Sequence, residues 1–226
     1  MYTNQGPSIE MTNGCLVIWG ASGHALVVAD IVRRQGLYHI VGFLDDVNPG
    51  RQGTEFCGAQ VLGGREQLTP LWEQGVRHVL LGVGDCAARL KLTALLEAQG
   101  FSLPTAVHPQ AAVAEDVTLG PGAVVVAGAV VNPGTRIGRS VIINTAASVD
   151  HECVIGDAVH ICPGAHLAGR VVVGQATQIG IGATVIERVR IGAKVVIGAG
   201  AVVVSDIPDG VVAYGVPARV KRRTVQ

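Results

Sequence analysis

A small parallel α/β sheet followed by a left-handed parallel β-helix is the fold class this sequence predicts, and three observations predict it. An unbroken six-residue repeat fills the C-terminal half. In the N-terminal part, short strands, Gly-rich turns and helices alternate. The composition suits both: of 226 residues 31 are Gly, and hydrophobic residues reach 49% while aromatics are only 4%. Average usage would give about 16 Gly, so tight turns are frequent and the core must be built from small and β-branched side chains.

Taken in chain order, residues 1–13 are polar and lack an apolar segment, so they read as a flexible leader. The next part, 14–105, opens with the apolar run Cys15-Leu-Val-Ile-Trp19, then Gly20-Ala-Ser22-Gly23-His24, then helical spacing to Arg34. The run His39-Ile-Val-Gly-Phe-Leu44 ends at Asp45-Asp46, and Arg77-His-Val-Leu-Leu81 ends at Gly82-Val-Gly84. Asp85 to Gly100 reads as a helix with Gly100 as a C-cap. Alternating strand and helix predicts a small parallel sheet, with ligands beyond the carboxyl ends of its strands. The Gly20–His24 turn sets free N–H groups at a helix start, which suits a phosphate. It reads GxxGH, so the dinucleotide fingerprint is incomplete. Asp45 or Asp46 could accept bonds from a ribose hydroxyl or a base N–H. Helix N-capping is an equal reading for Ser22 and Asp85.

Residues 106–208 carry the repeat. Every sixth residue from Val107 to Val203 is Val, Ile or Leu, and four places after each stands a small or β-branched residue such as Ala123, Thr135, Cys153 or Thr177. A period of six is neither helical nor a plain strand alternation. It fits a short strand and a turn: the aliphatic residue points inward and the small one fills the corner. Three such units close a triangular coil, and coils stack at the strand spacing of about 4.8 Å. Residues 209–226 form a tail.

Four histidines fall in or beside the repeat: His108, His151, His160 and His166. A Val/Ala solenoid has no packing need for imidazole. His108 precedes Pro109 at the start of the repeat and reads as structural. Glu152 follows His151, and neighbours on an extended strand point apart, so the two meet only if they sit at a corner. There the carboxylate would hold one ring nitrogen as donor and leave the other free as a base. Gly169 comes 18 residues later, at the same phase of the next coil. A base stacked on an uncrowded backbone N–H is the pair that acyl transfer needs, since the N–H stabilises a tetrahedral oxyanion.

The stretch from Ile143-Asn144-Thr145 through Asp150-His151-Glu152 and His160 to Leu167-Ala168-Gly169 resembles the active-site region of bacterial nucleotide-sugar N-acetyltransferases. Gly20-Ala-Ser-Gly-His24 and Phe43-Leu-Asp45-Asp46 resemble the nucleotide-sugar domain of the same family. Tyr214-Gly-Val-Pro217-Ala-Arg219 resembles the tail of hexapeptide acyltransferases. The resemblance implies acetyl-CoA as co-substrate, no metal, a homotrimer, and direct attack by the 4-amino group of a nucleoside-diphosphate-linked 4-amino-4,6-dideoxy sugar. It implies His151 as general base, Glu152 as its partner and the Gly169 N–H as oxyanion donor. His160, Gly169 and Arg219 would meet acetyl-CoA. Gly20, Ser22, Gly23, His24, Asp45, Asp46 and Gly84 would contact the nucleotide sugar. Gly82-Val-Gly84-Asp85 departs from the Gly-Asn-Asn run that some members carry.

Three alternatives stand beside this reading: an O-acetyltransferase of a sialic-acid or polysaccharide hydroxyl, a γ-type carbonic anhydrase with zinc on His151, His160 and His166, and a non-catalytic nucleotide-sugar-binding subunit. Nucleic acid is disfavoured as a partner, because 17 Lys+Arg balance 17 Asp+Glu. No apolar run is long enough to span a bilayer, despite a mean hydropathy of +0.43. Five cysteines without a CxxC pair suggest a reduced, cytoplasmic protein. Cys153 falls at an inward phase and reads as packing.

Overall fold

The computed structural model describes residues 14–224; the leader expected over 1–13 lies outside the described residues. The N-terminal part runs β1 (Gly14–Trp19), α1 (Gly23–Gln35), β2 (Tyr38–Leu44), β3 (Glu55–Phe56), β4 (Ala59–Gly63), α2 (Leu68–Glu73), β5 (His78–Leu81) and α3 (Cys86–Ala98). Its sheet order is β3-β4-β2-β1-β5. Strands β4, β2, β1 and β5 are parallel, as expected. The edge departs from expectation, because β3 and β4 form an antiparallel hairpin. Its turn is Cys57-Gly58, both at positive φ (47° and 74°), the geometry that matches strand twist in a two-residue hairpin. The two-residue β3 is too short to show an alternation in the sequence.

From Ala106 the chain forms seventeen two-residue strands, β6 (Ala106–Val107) to β22 (Val202–Val203). Each pairs in parallel with the strand 18 residues on, as Ser148 with His166 and Val149 with Leu167. The result is three flat sheets around one core, the left-handed β-helix. The second residue of each strand points inward, and the small residue at each corner is sealed: Ala147, Cys153, Val159, Ala165 and Val171 are all fully buried. Two final strands, β23 (Val211–Tyr214) and β24 (Arg219–Arg223), extend the first sheet.

Helix α1 joins the two parts. Its Ala25, Val28, Ala29 and Val32 share a buried cluster with Ala106, Val124 and Ile142, the outward residues of the first sheet. Arg89 of α3 fastens the junction further. Its guanidinium is buried and donates to the carbonyls of Val83 and Gly84 on one side and of Ser140, Ala158 and Val159 on the other. The Gly-rich turn after β5 is thereby tied to two coils of the β-helix.

Candidate active site

His151 and Glu152 do lie at a corner, between the strands Ser148–Val149 and Val154–Ile155. Glu152 takes a left-handed φ of 57°, and the corresponding residues one coil before and after, Gly134 and Arg170, have 74° and 61°. This bend lets adjacent side chains face each other, which an extended strand forbids. His151 Nδ1 sits 3.0 Å from Glu152 Oε2. The same oxygen accepts from Arg170 Nε at 2.8 Å. Arg170 first, then His151, holds the Glu152 carboxyl below the usual range. Asp150 accepts the His151 backbone N–H at 2.7 Å and is lowered mainly by that bond. One carboxylate therefore fixes the backbone of His151 and the next fixes its ring.

The other ring nitrogen points at Gly169. A β-carbon built on Gly169 would stand 2.5 Å from His151 Nε2. The coils are in register, since Arg170 N–H donates to the His151 carbonyl at 2.8 Å. At the His151 corner the preceding Asp150 captures the backbone N–H. At the next corner the preceding residue is Ala168, which has no acceptor, and among the described residues none takes the Gly169 N–H. Imidazole and free amide thus occupy one spot on the surface, with His151 half exposed.

The remaining histidines go elsewhere. His166 Nδ1 meets Ser148 Oγ at 2.8 Å. His108 is buried and accepts from the Gln110 N–H at 3.0 Å. His160 is on the first sheet, against the N-terminal part, so it does not join the His151 corner within one chain. Its Nε2 lies 3.0 Å from Asn144 Nδ2 and its ring is 6.3 Å from that of His24. Both are pushed down to about 4: His24 by burial, His160 and Arg89, and His160 by burial and Arg89. His24 Nε2 is buried without a hydrogen-bond partner. The γ-carbonic anhydrase arrangement is not assembled, as His151, His160 and His166 have separate partners and, among the described residues, no group of three or more metal-binding side chains gathers.

The expected nucleotide-sugar residues surround the carboxyl ends of β1, β2 and β5. A cleft of about 470 Å³ is lined there by Trp19, Gly20, Asp45, Asp46, Arg65 and Lys91. Gly20 has φ 126°, and a β-carbon on it would meet the Gly82 carbonyl at 2.6 Å, so only glycine lets these two loops touch. Ser22 makes no side-chain cap bond, whereas Asp85 accepts from the Ala88 N–H at 2.7 Å. The capping reading therefore holds for Asp85 and not for Ser22, whose hydroxyl stays exposed beside Gly23. Both aspartates are already bonded. Asp45 is nearly buried and accepts from the N–H groups of Val47 and Asn48; burial alone would raise it, but these bonds leave it lowered. Asp46 accepts from the Arg65 backbone and guanidinium. Their carboxylates shape the rim of the cleft through these loops.

Sequence reasoning missed Arg170 and Arg89. Arg170 was within reach, since it follows Glu152 by the same 18 residues that separate His151 from Gly169. Arg89 carries no signal, because nothing in the helical stretch Cys86-Ala-Ala-Arg89-Leu shows that its charge is buried.

A solenoid that sets a paired imidazole over a free amide, joined to an α/β sheet with a cleft at its strand ends, is an acyltransferase architecture. The family model of the PglD N-terminal domain matches residues 15–96. PerB from Caulobacter crescentus, solved in complex with CoA and GDP-perosamine, is 43% identical over 92% of this chain and 97% of its own, with a TM-score of 0.87. The acetyltransferase domain of PglB from Neisseria gonorrhoeae, in complex with acetyl coenzyme A, is 40% identical over 92% of this chain and 100% of its own, with a TM-score of 0.86. WeeI from Acinetobacter baumannii is 27% identical over 92% of this chain and 100% of its own, with a TM-score of 0.80. The chain belongs to the family of nucleotide-sugar N-acetyltransferases of the hexapeptide-repeat type.

Proposed function

We propose that this enzyme transfers the acetyl group of acetyl-CoA to the 4-amino group of a nucleoside-diphosphate-linked 4-amino-4,6-dideoxy sugar, with His151 as general base. The observation that carries the proposal is the His151 corner: Nδ1 is tied to Glu152 and Nε2 stands over Gly169. Glu152 selects the tautomer with hydrogen on Nδ1, so Nε2 holds a free lone pair. As the amine attacks the thioester carbonyl, Nε2 takes its proton. The Gly169 N–H accommodates the charge that grows on the carbonyl oxygen, and the thiolate of CoA departs.

No residue needs to carry the acetyl group. The thiol of Cys153 is buried and raised by that burial, and Cys162 is raised to about 11 by burial and then by Cys86, so neither forms a ready nucleophile. In this proposal residues 14–105 hold the nucleotide sugar and residues 106–208 perform the transfer. The exposed strand Arg219–Arg223, which includes the Arg219 assigned above, suits the phosphates of CoA. A homotrimer is part of the proposal; Ile181, Ile186 and Val204 offer exposed apolar surface for it. No helix among the described residues is long and apolar enough to cross a membrane, and a cytoplasmic site beside the acetyl-CoA supply is proposed.

The GDP-perosamine bound by PerB supports an amino sugar as acceptor. The test is thiol release from acetyl-CoA with UDP-, dTDP- and GDP-linked 4-amino-4,6-dideoxy sugars, and with sialic acid as hydroxyl control. Release with one amino sugar is expected. Release only with the hydroxyl control would move the enzyme to O-acetylation and overturn the acceptor.

A further inference from the structure

A carboxylate beside a catalytic imidazole has two opposed effects. It orients the ring, and it stabilises the protonated form, which is useless as a base. The corner contains a counterweight. Glu152 Oε2 receives His151 Nδ1 at 3.0 Å and both Nε and Nη2 of Arg170 at 2.8 Å. The guanidinium thus contacts the same oxygen as the imidazole.

We propose that Arg170 is a positioning residue that sets the base strength of His151: it shares Glu152 Oε2 with the imidazole, so the carboxylate orients the ring without holding it protonated. The inference rests on the reading of His151 as base and extends it to a residue one coil away.

The backbone supports this role. Arg170 and Glu152 occupy equivalent corner positions with nearly equal left-handed φ, 61° and 57°. Arg170 N–H donates to the His151 carbonyl at 2.8 Å, and Glu152 N–H to the Pro133 carbonyl at 2.9 Å. The guanidinium therefore springs from a ladder that is fixed relative to His151. The charged groups around the ring are few. Asp150 and Glu152 come from its own corner and Arg170 from the next; Asn132 and Pro133 on the preceding coil carry no charge. Glu187 and Arg188 lie one coil beyond, where Arg188 N–H donates to the Gly169 carbonyl. Asp150 is occupied by Asn132 Nδ2 at 2.9 Å and by the His151 N–H. Arg170 is the cation that touches the carboxylate on the ring.

Arg170→Asn removes the cation with a side chain that tolerates left-handed φ, and Arg170→Lys keeps the charge without the fork. The midpoint of the His151 imidazole signal would be followed by NMR, assigned by its absence in His151→Asn, alongside the acid limb of the kcat/KM profile. In Arg170→Asn both are expected to rise by about half a pH unit, the size an exposed charge pair supports. Below the limb this is roughly a threefold loss of rate. Arg170→Lys is expected to restore most of the shift, and thermal unfolding to be unchanged in both. A midpoint that stays put in Arg170→Asn, or moves equally in Arg170→Lys, would overturn the inference. If His151→Asn kept the wild-type rate, the base reading beneath it would fall instead, which the titration alone could not cause.

Discussion

His151 and Gly169 fit each other so closely that a methyl group on Gly169 would overlap the ring, its carbon 2.5 Å from Nε2. The clash is with a side chain able to swing, and Gly169 is not at a left-handed φ. Gly169→Ala is therefore expected to displace the imidazole and not to unfold the coil. We expect kcat/KM to fall roughly a hundredfold, the cost of a misplacement near 1 Å, with the thermal midpoint nearly unchanged. Steady-state kinetics with calorimetry decide it; full activity would separate Gly169 from the chemistry.

Removing the base itself should be costlier to rate than to fold. His151 is half exposed and belongs to no buried cluster. General base catalysis is worth about 10²–10⁴-fold. His151→Asn is expected to lower kcat at least a hundredfold while leaving the urea midpoint in place. A near-normal kcat would remove His151 from the mechanism.

His24 and His160 make stability depend on pH. Their folded-state values are lowered to about 4 from an ordinary 6.5. Between these limits the unfolded chain binds protons that the folded chain refuses, so stability falls as pH drops from about 6.5 toward 4. The loss across this window is on the order of a few kcal/mol for the pair. Urea midpoints measured from pH 7 to 4.5 should show it, and His160→Gln should flatten the slope. An unchanged slope in that variant would assign the acid sensitivity to other groups.

Arg89 predicts a large stability effect. Its buried guanidinium serves five backbone carbonyls from three segments. Arg89→Met fills similar volume and leaves those carbonyls without it. A loss of about 3 kcal/mol or more is expected, together with a weaker pH slope, since Arg89 contributes to lowering both histidines. Denaturant titration at pH 7 and 5 tests both parts, and a loss under about 1 kcal/mol would contradict the clasp.

Much of this protein was legible in the sequence, because its β-helix is periodic. A hexapeptide rule places Ile155 inward and Cys153 in the corner, and it stacks Gly169 on His151, without any knowledge of distant contacts. The Gly20–His24 turn and the strand end at Asp45-Asp46 were equally local signals. What is not periodic was not legible. The Cys57-Gly58 hairpin lies in a segment too short to show alternation. Asp45 and Asp46 read as ligand-facing carboxylates, yet their oxygens are bonded to Val47, Asn48 and Arg65. Whether Ser22 or Asp85 caps its helix depended on rotamers that no spacing encodes.

The sequence by itself determined the two-part fold, the corner that carries His151 and Glu152, and the glycine beneath the imidazole, since each follows from a repeat that acts over a few residues. Only the tertiary structure decided where charge is buried and what it touches. Arg89 was an ordinary helix residue until α3 packed on the β-helix, and His160 was one more outward residue until the first sheet met His24. Pairing and burial arise where separate segments meet, so the energies that set the values of these histidines exist only in the folded chain.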